Sequence, residues 1–328
     1  VTCAAPGSIA TALVERLLEG GATVIMTASR VSQARKEFAR TLYAEHGAAG
    51  SALWLVPANL SSFRDIDALI DWIGSEQRES VGNEVKILKP ALTPTLAFPF
   101  AAPSVSGSLA DASGTTEAQA RLLLWSVERT IAGLARLSQE DVDKRCHVVL
   151  PGSPNRGTFG GDGAYGEVKA ALDAILNKWK VEAGWPQGVT LAQVKIGWVA
   201  GTHLMGGNDG LVPAAEKAGI KVWSPEEISA ELMDLASADS REQAAHAPVE
   251  KDLTGGLEGF SLKELAADVE PAGTTGAAAH EENDAPATIT ALPNQVQAVQ
   301  PGLEEEVGQV TTDLEDMVVI AGIGEVSS

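Results

Sequence analysis

The chain has 328 residues, of which 45% are hydrophobic and 21% charged, proportions typical of a globular protein. Its formal net charge of −20 argues against sequence-independent nucleic-acid binding and against docking on an anionic membrane, because both need a surface rich in Lys and Arg. Two isolated cysteines, and the lack of any membrane span or secretory signal, predict a cytoplasmic protein.

Strands and helices alternate along roughly the first 260 residues. The first predicted helix runs from Ser8 to Glu19, with Ile9, Leu13 and Leu17 on one face. Further helices are predicted at 31–46, from Ser62 onward, and up to about Leu137 after the polar stretch 104–116. Strands are predicted at 22–29, 52–58, within 92–102, and at 146–150, 189–196 and 253–257. Apolar strands separated by helices predict an α/β fold, a doubly wound parallel sheet of Rossmann-like type.

The two ends of the sequence have the patterns of a piece cut from a longer polypeptide. The opening, "VTCAAPGSIA", is typical of a turn that follows a strand, so we expect a truncated first strand. From about Lys263 the sequence is acidic, rich in Ala, Pro and Gly and without a sustained period, which predicts a flexible, disordered linker. The ending, "DMVVIAGIGEVSS", has the pattern of a new strand and turn.

The opening turn and the two following strand ends indicate a dinucleotide site. Gly7 and Ser8 stand where backbone N–H groups at a helix N-terminus hold a pyrophosphate, although an ordinary small-residue turn would have the same composition. Ser29 and Arg30 end the second strand, where they suit a 2′-phosphate better than a free hydroxyl; the alternative for Arg30 is a surface arginine. Asn59, after the third strand, either reaches the adenine edge or forms a turn.

One of the two tyrosines stands in a glycine-rich segment after the fifth strand. Tyr165 and Lys169 are four residues apart and share one helix face, and Ser153 lies at the carboxyl end of the strand. We expect the Lys169 cation to lower the pKa of the Tyr165 phenol, which then protonates a carbonyl oxygen while hydride reaches the carbon. Ser153 would orient the same carbonyl.

Several segments together resemble the short-chain dehydrogenases/reductases, and among them the β-ketoacyl reductase domain of bacterial type I fatty acid synthases. The segments are "VTCAAPGSIA", "TASR", "PFAAP", "HVVLPGSPNRGTFGGDGAYGEVKAALDA", "IGWVAGTHLMG" and "DLTGGL". The resemblance implies three parts: a ketoreductase domain at 1–262, a flexible acidic linker at 263–312, and the start of a ketosynthase region at 313–328.

The resemblance also implies a function in fatty acid biosynthesis, the reduction of 3-oxoacyl chains on an acyl carrier protein by NADPH. Its catalytic residues would be Ser153, Tyr165 and Lys169. The cofactor would be held by Thr2, Gly7, Ser8, Ile9, Ser29, Arg30, Asn59, Leu60, Phe100, Ala101, Ala102, Lys169 and Thr202. Lys169 would contact the nicotinamide ribose, and Thr202 would lie near the carboxamide. Expected partners are the carrier protein, other synthase domains and further subunits of a homo-oligomer, without nucleic acid or membrane.

Two positions depart from the family pattern. Cys3 replaces a glycine of the first turn; its thiol either faces the cofactor with a lowered pKa or turns inward as a small buried group. Ser126 stands where many members have a relay asparagine. The five histidines have no ligand spacing, so we predict no metal.

Two other functions fit parts of the sequence. A catalytically silent scaffold of the multienzyme would have no reason to retain Ser153, Tyr165 and Lys169 together. A free-standing sugar or alcohol dehydrogenase fits less well with the linker and with the pattern at both ends.

Overall fold

A computed structural model describes residues 1–81, 84–103, 105–139, 144–202, 210–258 and 260. The chain divides into two units, 1–274 and 275–328, and every described residue belongs to the first unit. The acidic linker predicted at 263–312 and the ketosynthase start predicted at 313–328 lie outside the described residues.

The described residues form strands and helices in the predicted alternation. The strands are β1 (Thr23–Ala28), β2 (Ala52–Pro57), β3 (Gln77–Val81), β4 (Glu84–Lys89), β5 (Leu96–Ala97), β6 (Cys146–Gly152), β7 (Val189–Ile196) and β8 (Val249–Leu253). The helices are α1 (Ile9–Glu19), α2 (Gln33–His46), α3 (Phe63–Gly74), α4 (Gly114–Ala120), α5 (Ser126–Ser138), α6 (Tyr165–Val181), α7 (Trp185–Gly188), α8 (Val212–Lys217), α9 (Pro225–Leu235) and α10 (Ala238–Ala244).

The central sheet is parallel and is joined through the first three residues. β2 pairs with β1, and β5, β6, β7 and β8 pair in that order. Thr2 bridges the two groups of strands: its N–H donates to the Phe98 carbonyl at 3.1 Å, and the Cys3 N–H donates to the Thr27 carbonyl at 3.2 Å. The extended segment at residues 1–3 therefore lies between β1 and β5, where the first strand of a Rossmann-like sheet is expected.

Helices cover both faces of this sheet. One apolar cluster joins α1, α2 and α9 to the sheet and includes Leu13, Leu18 and Ile228. The other joins α3, α5 and α6 through residues such as Ile70 and Leu172. α3 shows why the sequence folds this way, since its four buried residues recur at helical spacing and its other face is charged. The doubly wound fold is confirmed.

The main difference from the predicted elements is an antiparallel hairpin, β3–β4. Its strands carry Arg78, Glu79 and Lys86, and the sequence pattern predicted no element for this segment. A hairpin standing outside the main sheet needs no buried face, so apolar periodicity did not mark it.

Prolines and glycines account for the other differences. The strand expected within 92–102 is short, Leu96–Ala97, because Pro94 and Pro99 flank it. The strand expected at 253–257 is wrong: β8 ends at Leu253, and Gly255 and Gly256 turn the chain with φ of +63° and +85°. The long helix expected to reach Leu137 contains a π-helical segment, Arg121–Trp125, between α4 and α5.

Candidate active site

A cleft of about 410 Å³ opens at the carboxyl edge of the sheet. Its lining unites both predicted parts of the site and includes Cys3, Ser8, Ile9, Ser153, Tyr165, Lys169 and Thr202. A second cavity, of about 370 Å³, lies between β1 and β5 and touches none of the three predicted catalytic residues. The cleft is therefore the candidate active site, at the position where ligands bind in open parallel sheets.

Ser153, Tyr165 and Lys169 meet because Ser153 directly follows β6 and the other two lie one turn apart at the start of α6. The Ser153 hydroxyl and the Tyr165 phenol share a hydrogen bond. The Lys169 Nζ lies 5.5 Å from the centroid of the Tyr165 ring and donates to the Pro151 carbonyl at 2.6 Å. The structure brings the three predicted catalytic side chains into one cleft.

Burial controls the ionisation of Tyr165 and Lys169. It raises the pKa of the Tyr165 phenol to about 12, although the hydrogen bond from Ser153 lowers that pKa. Burial also lowers the pKa of Lys169 to about 7. The expected lowering of the Tyr165 pKa is wrong, because the lysine is itself desolvated and its ammonium is directed at the Pro151 carbonyl. Tyr165 is therefore protonated at neutral pH and has a proton to donate.

The first turn presents the N-terminus of α1 to the cleft. The Ser8 hydroxyl caps this helix and accepts hydrogen bonds from the N–H groups of Thr11, at 3.2 Å, and Ala5, at 3.1 Å. Gly7 has φ of +72°, and a Cβ there would lie 3.7 Å from the Gly201 carbonyl oxygen, so the first turn lies against the backbone that follows β7. Helix N-termini of this kind bind anionic groups such as phosphates.

Cys3 is the one non-glycine residue with positive φ, +55°, among the described residues. Glycine adopts that conformation without strain, which gives a physical reason for the family's preference. The Cys3 side chain lines the cleft and also packs against apolar residues next to the sheet. Burial raises the pKa of its thiol and outweighs the nearby Arg35 guanidinium, which contradicts the first of the two alternatives for Cys3, a thiol with a lowered pKa.

Ser29 and Arg30 directly follow β1 and are exposed at the same sheet edge. Sequence reasoning missed a third residue near them. The Arg35 Nη1 reaches back from α2 and donates to the Ala4 carbonyl in the first turn at 2.8 Å. The only signal for Arg35 was a second arginine soon after Arg30, which by itself resembles any charged helix face.

Asn59 and Leu60 follow β2, but their side chains do not line the cleft. The Asn59 Oδ1 accepts from the Ser61 N–H at 3.1 Å, and its own N–H donates to the Asp65 carboxylate at 2.9 Å. These contacts match the turn-forming alternative for Asn59. Leu60 is buried in the apolar cluster with α3.

The remaining predicted cofactor residues divide between the cleft and the core. Phe100, Ala102 and Thr202 line the cleft, and the Thr202 hydroxyl donates to the Val199 carbonyl at 3.1 Å. Ala101 is buried, and its N–H donates to the Thr2 hydroxyl at 2.8 Å. Thr2 and Ala101 thus support the floor of the site instead of lining it.

Ser126 does not reach the cleft. It follows the π-helical segment and is buried, and its hydroxyl donates to the Leu122 carbonyl of the same helix at 2.6 Å. Its hydrogen bond is thus made within the helix, and no contact of Ser126 corresponds to that of a relay asparagine.

Three polar residues around the catalytic loop were also missed. Asn155 and Asp162 stand within "SPNRGTFGGDGAY", between Ser153 and Tyr165, and both line the cleft. The buried Gln119 of α4 accepts from the Ala164 N–H at 2.8 Å, at the start of α6. In sequence, Asn and Asp among glycines are ordinary turn formers, so their mutual contact was not predictable.

Within the described part of the chain, no group of three or more His, Cys, Asp or Glu side chains is arranged to hold a metal ion. In the same residues, no helix has both the length and the apolar composition needed to cross a bilayer.

Comparisons with known proteins identify relatives in sequence and a similar protein in fold. No family model matches the chain. It is 35% identical over 272 residues to the fatty acid synthase subunit alpha of Saccharomyces cerevisiae, covering 81% of this chain and 14% of that protein. It is 36% identical over 261 residues to the same subunit of Schizosaccharomyces pombe, covering 79% and 14%. The chain thus spans 14% of the length of these two relatives.

The fold is similar to that of a short chain dehydrogenase from Bacillus anthracis, with a TM-score of 0.59 at 14% identity, over 77% of this chain and 94% of that one. At this level of identity the likeness concerns the fold. Together these similarities identify the chain as a homologue of one region of fatty acid synthase alpha subunits, with the fold of the short-chain dehydrogenases.

Proposed function

We propose that this chain is an NADPH-dependent 3-oxoacyl-[acyl-carrier-protein] reductase, acting as a segment of a multifunctional fatty acid synthase. The observation that carries the proposal is a single cleft in which Ser153, Tyr165 and Lys169 face the N-terminus of α1. The fold supports an oxidoreductase that uses a nicotinamide dinucleotide, and the relatives' names support a role in fatty acid synthesis.

The residues present fit a nicotinamide dinucleotide. The N-terminus of α1 brings Ser8 and Ile9 to the cleft, where backbone N–H groups would hold the pyrophosphate. Lys169 and Thr202 also line the cleft and would hold the nicotinamide half. When bound, the dinucleotide supplies the hydride for the carbonyl carbon.

The protein's own side chains supply the proton and the orientation. The Ser153 hydroxyl, which already bonds the phenol, would orient the substrate carbonyl. Tyr165 would give its phenolic proton to the carbonyl oxygen, since its raised pKa keeps that proton in place at neutral pH. The Lys169 cation, next to the ring, would stabilise the phenolate that remains.

Arg30 is the residue that favours NADPH over NADH. Arg30 is exposed at the end of β1, and a guanidinium pairs with a 2′-phosphate but gains nothing from a hydroxyl. Arg35 adds positive charge beside the first turn. The proposal also includes the carrier-protein substrate and contacts with other synthase domains and with subunits of a homo-oligomer. It further includes the three-part division at 262 and 312 and a cytoplasmic location.

The test is a comparison of wild-type and Tyr165→Phe proteins in the full chain. We expect the wild type to oxidise NADPH in the presence of a 3-oxoacyl thioester, and Tyr165→Phe to lose about 100-fold or more in kcat. Its Kd for NADPH, measured by fluorescence, should stay the same, because the phenol is not part of the pyrophosphate site. Wild-type turnover in the variant would refute the catalytic assignment, and a wild type that neither binds nor oxidises NADPH would favour a silent scaffold.

A further inference from the structure

The loop between β6 and α6 contains a polar pair that the proposed mechanism does not use. The Asn155 Nδ2 donates to the Asp162 Oδ2 at 2.8 Å. Asn155 is 4% exposed, and Asp162 is half-buried. The two residues are seven positions apart in sequence, so the pair connects the start of the loop to its end.

Asp162 organises the first turn of the helix that carries Tyr165. The same Oδ2 accepts from the Gly166 N–H at 3.0 Å, and the Asp162 carbonyl accepts from the Tyr165 N–H at 3.0 Å. Both donors are among the first N–H groups of α6, which lack partners inside the helix. Asp162 therefore fixes where the helix begins and, with it, the position of the Tyr165 backbone.

Asn155 makes similar contacts around Ser153. The backbone N–H of Asn155 donates to the Ser153 Oγ at 3.1 Å, and its side-chain Oδ1 accepts from the Gly157 N–H at 2.9 Å. Because the serine oxygen already accepts one hydrogen bond, the hydroxyl proton is left to point at the phenol or at a substrate oxygen.

The loop between the two anchors is rich in glycine. Gly157, Gly160 and Gly161 all have positive φ, as does Gly163 directly after Asp162, a conformation that L-residues other than glycine rarely adopt. The loop folds back so closely that a Cβ on Gly166 would lie 2.5 Å from the Gly157 nitrogen. The Asn155–Asp162 bond spans this glycine-rich segment directly.

We propose that Asn155 and Asp162 are a positioning pair, which fixes the position of the Ser153 hydroxyl relative to the Tyr165 phenol. The inference rests on the proposed reductase function, and neither residue takes part in proton or hydride transfer. Asp162 has a second effect, since its negative charge disfavours the phenolate and raises the pKa of Tyr165. Among the described residues, the Lys169 Nζ also lies beside the phenol, 5.5 Å from the centroid of its ring.

A reciprocal exchange tests the pairing in the full chain. Asn155→Asp sets two carboxylates against each other and should lower kcat by about 10- to 100-fold, with the Kd for NADPH unchanged. The double variant Asn155→Asp/Asp162→Asn restores one donor and one acceptor to the pair and still offers oxygens to the Gly157 and Gly166 N–H groups. It should recover most of the wild-type kcat.

The control is Glu227→Gln, because Glu227 caps the N-terminus of α9 through the Ser224 N–H, away from the cleft. This variant should keep its kcat. All variants are compared below their Tm, so that lost folding is not read as lost catalysis. Wild-type kcat in Asn155→Asp, or a folded double variant that stays as slow as Asn155→Asp, would overturn the proposal.

A second readout needs no turnover. In a Tyr43→Phe background Tyr165 is the only tyrosine, so phenolate absorbance after a rapid pH jump reports its ionisation alone. Asp162→Asn should lower the pH at which half of Tyr165 is ionised, and Glu227→Gln should not change this midpoint. An unchanged midpoint in Asp162→Asn would show that Asp162 does not act on the phenol. A wild type that fails to reduce any 3-oxoacyl thioester would instead refute the proposed function, and the titration would still decide whether Asp162 acts on Tyr165.

Discussion

At the scale of single residues, burial governs the candidate site more strongly than the attraction between neighbouring charges. Tyr165 and Lys169 lie one helical turn apart, yet desolvation raises the pKa of Tyr165 and lowers the pKa of Lys169. Both shifts favour the neutral form of the side chain. The same cause raises the pKa of the Cys3 thiol against the influence of Arg35. A phenol that keeps its proton suits the donor role proposed for Tyr165.

The proposed cofactor preference makes a prediction about Arg30. Arg30→Ala should weaken NADPH binding by about tenfold or more and leave NADH binding nearly unchanged, because only NADPH carries the 2′-phosphate with which a guanidinium pairs. The measurement is the Kd of each cofactor by fluorescence titration.

Two further arginine variants sharpen that measurement. Arg40→Ala, exposed on α2, is the matched control and should change neither Kd. Arg35→Ala should weaken both cofactors, because the Arg35 guanidinium bonds the first turn that serves both. Equal losses for NADPH and NADH in Arg30→Ala would contradict the assignment of Arg30.

At the scale of the elements, a buried histidine joins β6, β7 and the end of α9. The His147 Nε2 donates to the Leu235 carbonyl at 3.1 Å, and its Nδ1 accepts from the Thr190 hydroxyl at 2.8 Å. The carbonyl can only accept, which assigns the proton to Nε2. Burial lowers the pKa of His147 to about 4.

This lowered pKa predicts how stability depends on pH. The unfolded histidine takes up a proton below about pH 6.5 and the folded one only near pH 4, so the unfolded state binds more protons between these values. The free energy of unfolding should therefore fall as pH drops from 6.5 to 4, by about 3 kcal/mol at most from this group. His147→Gln, which can form both hydrogen bonds, should be less sensitive to pH in this window.

Urea unfolding at a series of pH values measures the effect. The exposed His246→Gln is the control and should follow the wild type. Because carboxylates also lose stabilising contacts in acid, the informative quantity is the difference between wild type and His147→Gln. A difference that stays constant between pH 6.5 and 4 would show that His147 does not titrate as its burial predicts.

At the scale of the whole molecule, the strands differ in how completely they are buried from solvent. All seven residues of β6 are buried, whereas β2 is only partly buried. The β3–β4 hairpin pairs only with itself among the described strands, and Val85 and Ile87 are exposed on it. Isolated hairpins are marginally stable in water.

These differences predict an order of amide hydrogen exchange. The β3–β4 hairpin should exchange first, β2 next, and β6 and β7 last, because only opening of the whole core exposes the last two. Mass spectrometry of peptides after timed labelling measures this order. A hairpin protected as strongly as β6 would mean that another part of the protein covers it.

Three features could be predicted from the amino-acid sequence alone: the alternation of strands and helices, the parallel sheet, and the grouping of Ser153, Tyr165 and Lys169. Each of these depends on local signals: apolar runs, helical periodicity, and residues at fixed spacing next to a strand end. α1 and β6 show this, since their patterns are complete within 11 and 7 residues.

The ionisation of the site and the partners of its polar groups depend on the three-dimensional fold. The pKa values of Tyr165, Lys169 and Cys3 depend on how much water the fold excludes, which no local pattern encodes. The Arg35 contact with the first turn spans 31 residues, and the Asn155–Asp162 bond crosses a loop whose composition is that of any turn. Such contacts arise from folding distant or flexible segments together, and for that reason they became visible only in three dimensions.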